Sequence, residues 1–178
     1  MNSKQALMSA FEKMENDRKS LLNRLTEFPD KILSKKPNTD QWSVAEVVMH
    51  LVVAETGALN YMQKKLEFGG HQKAGFDAAI KQRMLNFLIS LPIKFKAPKI
   101  IELKEIEDIS FPEASQKWEA VRLELYKEYD KLDSDTVGHE LFKHPAMGKM
   151  NLVQGVKFMH QHMNRHILQI DRVIQKVK

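Results

Sequence analysis

Cysteine is missing from this sequence altogether, so the chain itself supplies no disulfide, no thiolate metal ligand and no cysteine nucleophile. The lack fits a reducing compartment, and a cytoplasmic protein is expected. Long apolar runs are missing too. The most apolar stretch, Met84 to Ile93, is ten residues long and is broken by Asn86, Ser90 and Pro92. A membrane-spanning helix needs roughly 20 apolar residues, so no membrane partner is expected. Met1 to Glu15 is charged and amphipathic and lacks the apolar centre of a signal peptide. The sequence also shows no glycine-rich phosphate loop, no nucleophile elbow and no carboxylate–histidine spacing for a di-iron centre.

What is present is ordinary globular material. The 178 residues, 43% hydrophobic and 29% charged, suit a single domain over 1–178 with a sizeable core. The net charge of +5 gives at most weak attraction to polyanions. Lys94, Lys96 and Lys99 are the nearest thing to a basic cluster, with Lys35 and Lys36 elsewhere. No groove-reading motif accompanies them, so no specific nucleic-acid partner is expected.

Helical periodicity dominates the chain. A first helix is predicted from Ser3 to Phe28, with Leu7, Phe11, Met14, Leu21 and Leu25 on one face and Pro29 as its stop. Asp30 to Gln41 is predicted as a turn-rich linker. The second helix has a capping box, Ser43 with Glu46, and Trp42 is placed to pack on Val47 as a hydrophobic staple. It should run to about Leu66 and end at Gly69-Gly70. From His71 to Ser110 the pattern weakens. A helix is expected over Phe76 to Leu91, then irregular chain with a short strand at Ile100 to Leu103. Pro112 opens a further helix, whose stripe is Ala114, Trp118, Val121, Leu125, Tyr129 and Leu132. Asp133 to Met150 is predicted as a loop. The last helix opens at Asn151, paired with Gln154, and its stripe runs Leu152, Val156, Met159, Met163, His166, Ile170, Val173, Val177. This is an all-α chain of the four-helix bundle type, with a short irregular or helical insertion in the middle.

His166 occupies a position in that stripe where the periodicity asks for an apolar residue. His162, four residues earlier, lies about 40° around the same face. Two imidazoles at this spacing can point at one ion. They can equally be two hydrogen-bonded histidines at the edge of the core. His50 borders the buried stripe of the second helix and could complete a three-imidazole set, if the two helices meet there. His160 is about 200° from His162 and faces away. His139 and His144 fall in the preceding loop, His144 helping to order the His-Pro turn, and His71 is expected to be exposed. Glu46 and Glu55 flank His50 and could orient it. Glu46 is already explained by capping, and neither is taken as a site residue.

Two stretches carry a family resemblance. Trp42-Ser43-Val44-Ala45-Glu46-Val47-Val48-Met49-His50-Leu51 resembles the first signature of the DinB/YfiT-like metalloenzymes. His144-Pro145-Ala146-Met147-Gly148, followed by His162-x-x-x-His166-x-x-Gln169-Ile170, resembles the second, and Leu25 to Pro37 is also similar. The resemblance implies a four-helix bundle with one long crossover. It also implies one divalent metal ion, usually zinc or nickel, held by one histidine of the second helix and two of the last. By position these are His50, His162 and His166. The family's name reflects induction by DNA damage and does not imply DNA binding.

A neutral three-histidine set leaves the ion its full charge, enough to acidify a bound water or thiol. Two reaction classes on a small-molecule substrate follow, a hydrolase and a thiol S-transferase. The resemblance extends to bacillithiol S-transferases and a mycothiol-dependent isomerase, which favours the second class. With no cysteine in the chain, the low-molecular-weight thiol would come from outside. The non-enzymatic alternative is a metal-stabilised helical interaction module, as a homodimer. Structural zinc sites usually have four protein ligands, which weighs against it. The catalytic residues themselves are not named by the sequence.

Overall fold

The computed structural model describes residues 1–75, 106, 108–144 and 148–178. The helix expected over Phe76 to Leu91 and the strand expected at Ile100 to Leu103 lie outside these. Four long helices dominate the rest: α1 (Ser3–Leu25), α3 (Val44–Phe68), α4 (Phe111–Lys131) and α6 (Leu152–Val177). Their starts are written in the sequence. Asn2 with Gln5, Ser43 with Glu46, and Asn151 with Gln154 each form a reciprocal capping box, satisfying backbone N–H groups that the first helical turn leaves unpaired. Ser110 caps α4 through the Glu113 N–H, with Pro112 in its first turn.

Three local expectations are corrected. First, α1 ends at Leu25, three residues early. The Thr26 hydroxyl bonds the Asn23 carbonyl at 2.7 Å, and the chain turns before Pro29. Second, the supposed linker holds a one-turn helix, α2 (Asp30–Leu33). The Asp30 carboxylate accepts from the Ser34 hydroxyl at 3.0 Å and from the Phe111 N–H at 3.1 Å, tying α2 to the start of α4. Third, the stretch read as a loop before α6 contains a short helix, α5 (Ser134–Val137), capped by Asp133. It also contains an antiparallel hairpin of β1 (Phe142–His144) and β2 (Gly148–Met150), in which Phe142 faces Met150. Segments of three or four residues are too short to show a period.

Polar contacts fix the helix directions. Lys4 reaches Asp130 and Arg18 reaches Glu119, so α1 and α4 are antiparallel. Asp17 pairs with His160 and Arg24 with Asp171, so α1 and α6 are parallel. Gln41 meets Lys176 while His50 meets His162, so α3 opposes α6. It follows that α3 and α4, packed side by side, point the same way. Consecutive long helices that point the same way are the arrangement the long crossover of this fold requires.

The predicted apolar faces meet inside. Leu7, Met14, Leu51, Trp118, Leu125, Met163 and Ile170 are all buried. One polar layer crosses the core. Glu55 on α3 accepts from the Trp118 indole at 3.1 Å and from Arg122 at 2.6 and 2.8 Å. Arg122 also reaches Glu15 at 3.3 Å, and Glu15 holds Arg18. Glu55 is thus fully engaged with α4 and does not orient His50. Glu46 likewise serves its cap and an ion pair with Lys36.

Candidate metal centre

His50 sits seven residues into α3, between Val47, Val48 and Leu51, and is 7% exposed. His162 and His166 sit in the middle of α6, one turn apart and partly buried. Because α3 and α6 are neighbours running in opposite directions, these three positions fall at one level of the bundle. The His50 Nε2 lies 3.4 Å from the His162 Nε2, which lies 3.1 Å from the His166 Nε2. One ring nitrogen from each histidine lies within 4.8 Å of the other two. The structure thus brings together all three histidines that the sequence singled out.

These separations suit a shared ion. Two imidazoles at about 2.0–2.1 Å from one ion stand roughly 2.9 Å apart at a right angle and roughly 3.4 Å apart at the tetrahedral angle. The group can therefore hold a metal ion. Without one, three like nitrogens face each other with no carboxylate in the cluster among the described residues.

The electrostatics agree. Burial pushes His50 down to about 4, helped by the nearby His166. Burial also takes His166 down to about 4, against the opposing hydrogen bond that its ring donates to Gln169. His162 falls well below the usual histidine value, chiefly through burial and then through His166 and His50. All three rings are neutral at pH 7 and keep lone pairs for a cation.

Neighbouring side chains orient the rings. The His166 Nδ1 is 2.9 Å from the Gln169 Oε1. An amide oxygen only accepts, so Nδ1 carries the proton and Nε2 is left as the ligand atom. The His50 Nδ1 is buried without a hydrogen-bond partner. Trp42, expected to staple Val47, packs against the core that holds Val47, with its ring centroid 5.2 Å from that of His50. Phe158 stacks on His162 at 5.8 Å, and the His144 ring meets Phe158 edge-on at 4.4 Å. The sequence reading assigned no role to Phe158 or Gln169. Their signal was helical spacing, Phe158 one turn before His162 and Gln169 three residues after His166.

The remaining histidines separate. His160 turns away, as its angle required, and bonds Asp17 on α1 at 2.6 Å. His71 is not exposed as expected. It is half-buried, with its Nδ1 2.7 Å from the Nδ1 of His139.

The family model described as the DinB superfamily matches residues 13–170. The chain is similar to the uncharacterized protein YuaE of Bacillus subtilis (strain 168), 24% identical over 159 residues, covering 88% of this chain and 91% of that one. Among solved structures, the crystal structure of TT2238, a four-helix bundle protein, superposes with a TM-score of 0.57 at 17% identity, covering 93% of this chain and 98% of that one. That likeness carries the fold alone.

Proposed function

That this chain belongs to the DinB superfamily is the premise from which we propose its function: a metal-dependent enzyme in which His50, His162 and His166 hold one zinc or nickel ion that acts on a small molecule. The observation that carries this reading is the convergence of three neutral imidazole nitrogens, from two helices, at 3.1 and 3.4 Å. When bound, such an ion supplies Lewis acidity, lowering the pKa of a coordinated water or thiol toward neutrality. Three protein ligands leave coordination positions for that group and for substrate.

The chain's own residues do the rest. Gln169 fixes the His166 tautomer. Trp42 and Phe158 set aromatic rings beside His50 and His162, keeping the ligands in a poorly hydrated setting where charge interactions are stronger. Among the described residues no acid or nucleophile joins the cluster, which supports an attacking group from outside the chain. Of the two classes this allows, thiol S-transfer is favoured over hydrolysis by the resemblance to thiol transferases.

The burial of His50 favours a second reading, in which the ion only clamps α3 to α6 in a non-catalytic helical module that pairs with a second copy. Cobalt substitution separates the two. In a catalytic site, added bacillithiol or cysteine gives a sulfur-to-cobalt charge-transfer band, and metal removal abolishes turnover of a small electrophile while helix content persists. A cobalt form blind to thiols, azide and fluoride, with an apo protein that unfolds, would establish the clamp. Stoichiometric metal remaining in the His162→Ala/His166→Ala double variant would remove the site altogether.

A further inference from the structure

A second pair of imidazoles lies at the far end of α3. His71 follows the two glycines that end α3, and His139 follows α5. The two segments are already held together by backbone. Lys73 bridges His139 in antiparallel fashion, the Ala74 N–H donates to Gly138 at 3.0 Å, and the Glu140 N–H donates to Gln72 at 2.8 Å. In extended chain, residues two apart share a face, so His71 and Lys73 both stand on the side of His139. This places the two Nδ1 atoms 2.7 Å apart with the rings 4.9 Å apart.

We propose that His71 and His139 form a second, weaker site for an imidazole-preferring divalent ion such as zinc or copper, one that staples the start of the crossover to the segment before the hairpin. The separation of 2.7 Å is that of a hydrogen bond between the two rings, and an ion replacing the shared proton needs it to open by only about 0.2 Å to seat two ligands at a right angle. The Asp135 carboxylate stands 3.4 Å from the His139 Nε2. It favours the proton on that nitrogen and leaves Nδ1 as a lone pair, the carboxylate–histidine arrangement common behind metal ligands. The local charge tolerates a cation. The Lys73 ammonium is paired with Asp135 at 2.9 Å, and Glu140 is nearby, 3.7 Å from Lys149. Backbone bonds have already fixed both ligands, so binding orders little further chain. Two protein ligands rather than three make the site the weaker of the two, and water completes it.

The inference is independent of the three-histidine reading, and one experiment tells them apart. Tag-free protein is stripped and titrated with zinc against a chromophoric chelator at pH 7.5. Wild type is expected to take up two equivalents of unequal affinity. His139→Gln loses the weaker equivalent, and the His50→Gln/His162→Gln/His166→Gln variant loses the tighter one and keeps the weaker. His71→Gln, on the other segment, must repeat the His139→Gln result, which covers the case that one variant misfolds. A wild type whose bound zinc is unchanged in number and affinity by both substitutions overturns the proposal, whatever the triple variant does. Loss of the weak equivalent on His139→Gln with no tight equivalent in wild type would sustain it and sink the three-histidine site instead.

Discussion

Removing metal should make this protein acid-sensitive in a way that three side chains control. Burial holds His50 and His166 at about 4 in the folded chain, against roughly 6.5 for an unfolded histidine. Between those values the unfolded chain binds protons that the folded chain refuses. Stability therefore falls as the pH drops through that window and is fully reduced below the folded value. From pH 7 to pH 5 each ring costs roughly 1.8 kcal/mol by this linkage, and His162 is shifted the same way. Partial exposure and mutual coupling reduce the sum, so the trio should remove about 3 kcal/mol. That is a large part of the 5–15 kcal/mol or so typical of a domain. The assay is urea unfolding of metal-free protein at both pH values, beside the His50→Gln/His162→Gln/His166→Gln variant. Carboxylates elsewhere contribute equally to both proteins and cancel. Wild type should lose the extra stability and the variant should not, while saturating zinc should stabilise wild type more than the variant at pH 7. Equal pH dependence in the two proteins would refute the reasoning.

Three further outcomes are expected. Gln169→Leu removes the acceptor that fixes the His166 tautomer and should weaken zinc binding by roughly 10–100-fold without changing the urea midpoint of the apo protein by much; unchanged affinity would show that the amide is idle. Gly155→Ala would place a Cβ 2.4–2.8 Å from the Cγ, Cδ2 and Cβ of Phe142, close to the root of that side chain, so the hairpin must shift off α6. A net loss of about 1–3 kcal/mol is expected in chemical denaturation despite alanine's better helix propensity, and a smaller loss in Phe142→Leu background. Arg122→Met leaves the Glu55 carboxylate buried without a countercharge, held only by the Trp118 N–H, and should cost about 3–5 kcal/mol, whereas Glu55→Leu/Arg122→Leu together should cost less, since apolar replacement of a buried pair is often tolerated.

Much of this molecule was legible in its residues because its long helices announce themselves. The stripe Ala114 to Leu132 and the stripe Leu152 to Val177 are buried at the predicted positions, with His166 partly so, and two of the three capping boxes were named from spacing. The trio was legible for a different reason. His162 and His166 share a face by helical geometry, but their meeting with His50 depends on which helices pack, and only the family resemblance supplied that. Glu55 looked like a partner for His50 because it lies near it along α3, but five residues turn a helix by about 140°. Its true partners lie on α4, beyond any local rule. The His71–His139 pair was illegible because one isolated bridge joins segments 68 residues apart, with no repeating pattern to betray it.

The long crossover has a consequence for the order of events in a newly made chain. His50 and His162 are 112 residues apart, and α6, which brings two of the three ligands, is the last of the described helices to be synthesised. A ribosome-bound chain that has finished α4 carries one histidine of the trio. Closing so long a loop is slow relative to local helix formation, so a transient chain carries its helices well before it carries the trio. On the proposed reading, an ion bound by the trio would report that α3 and α6 have met.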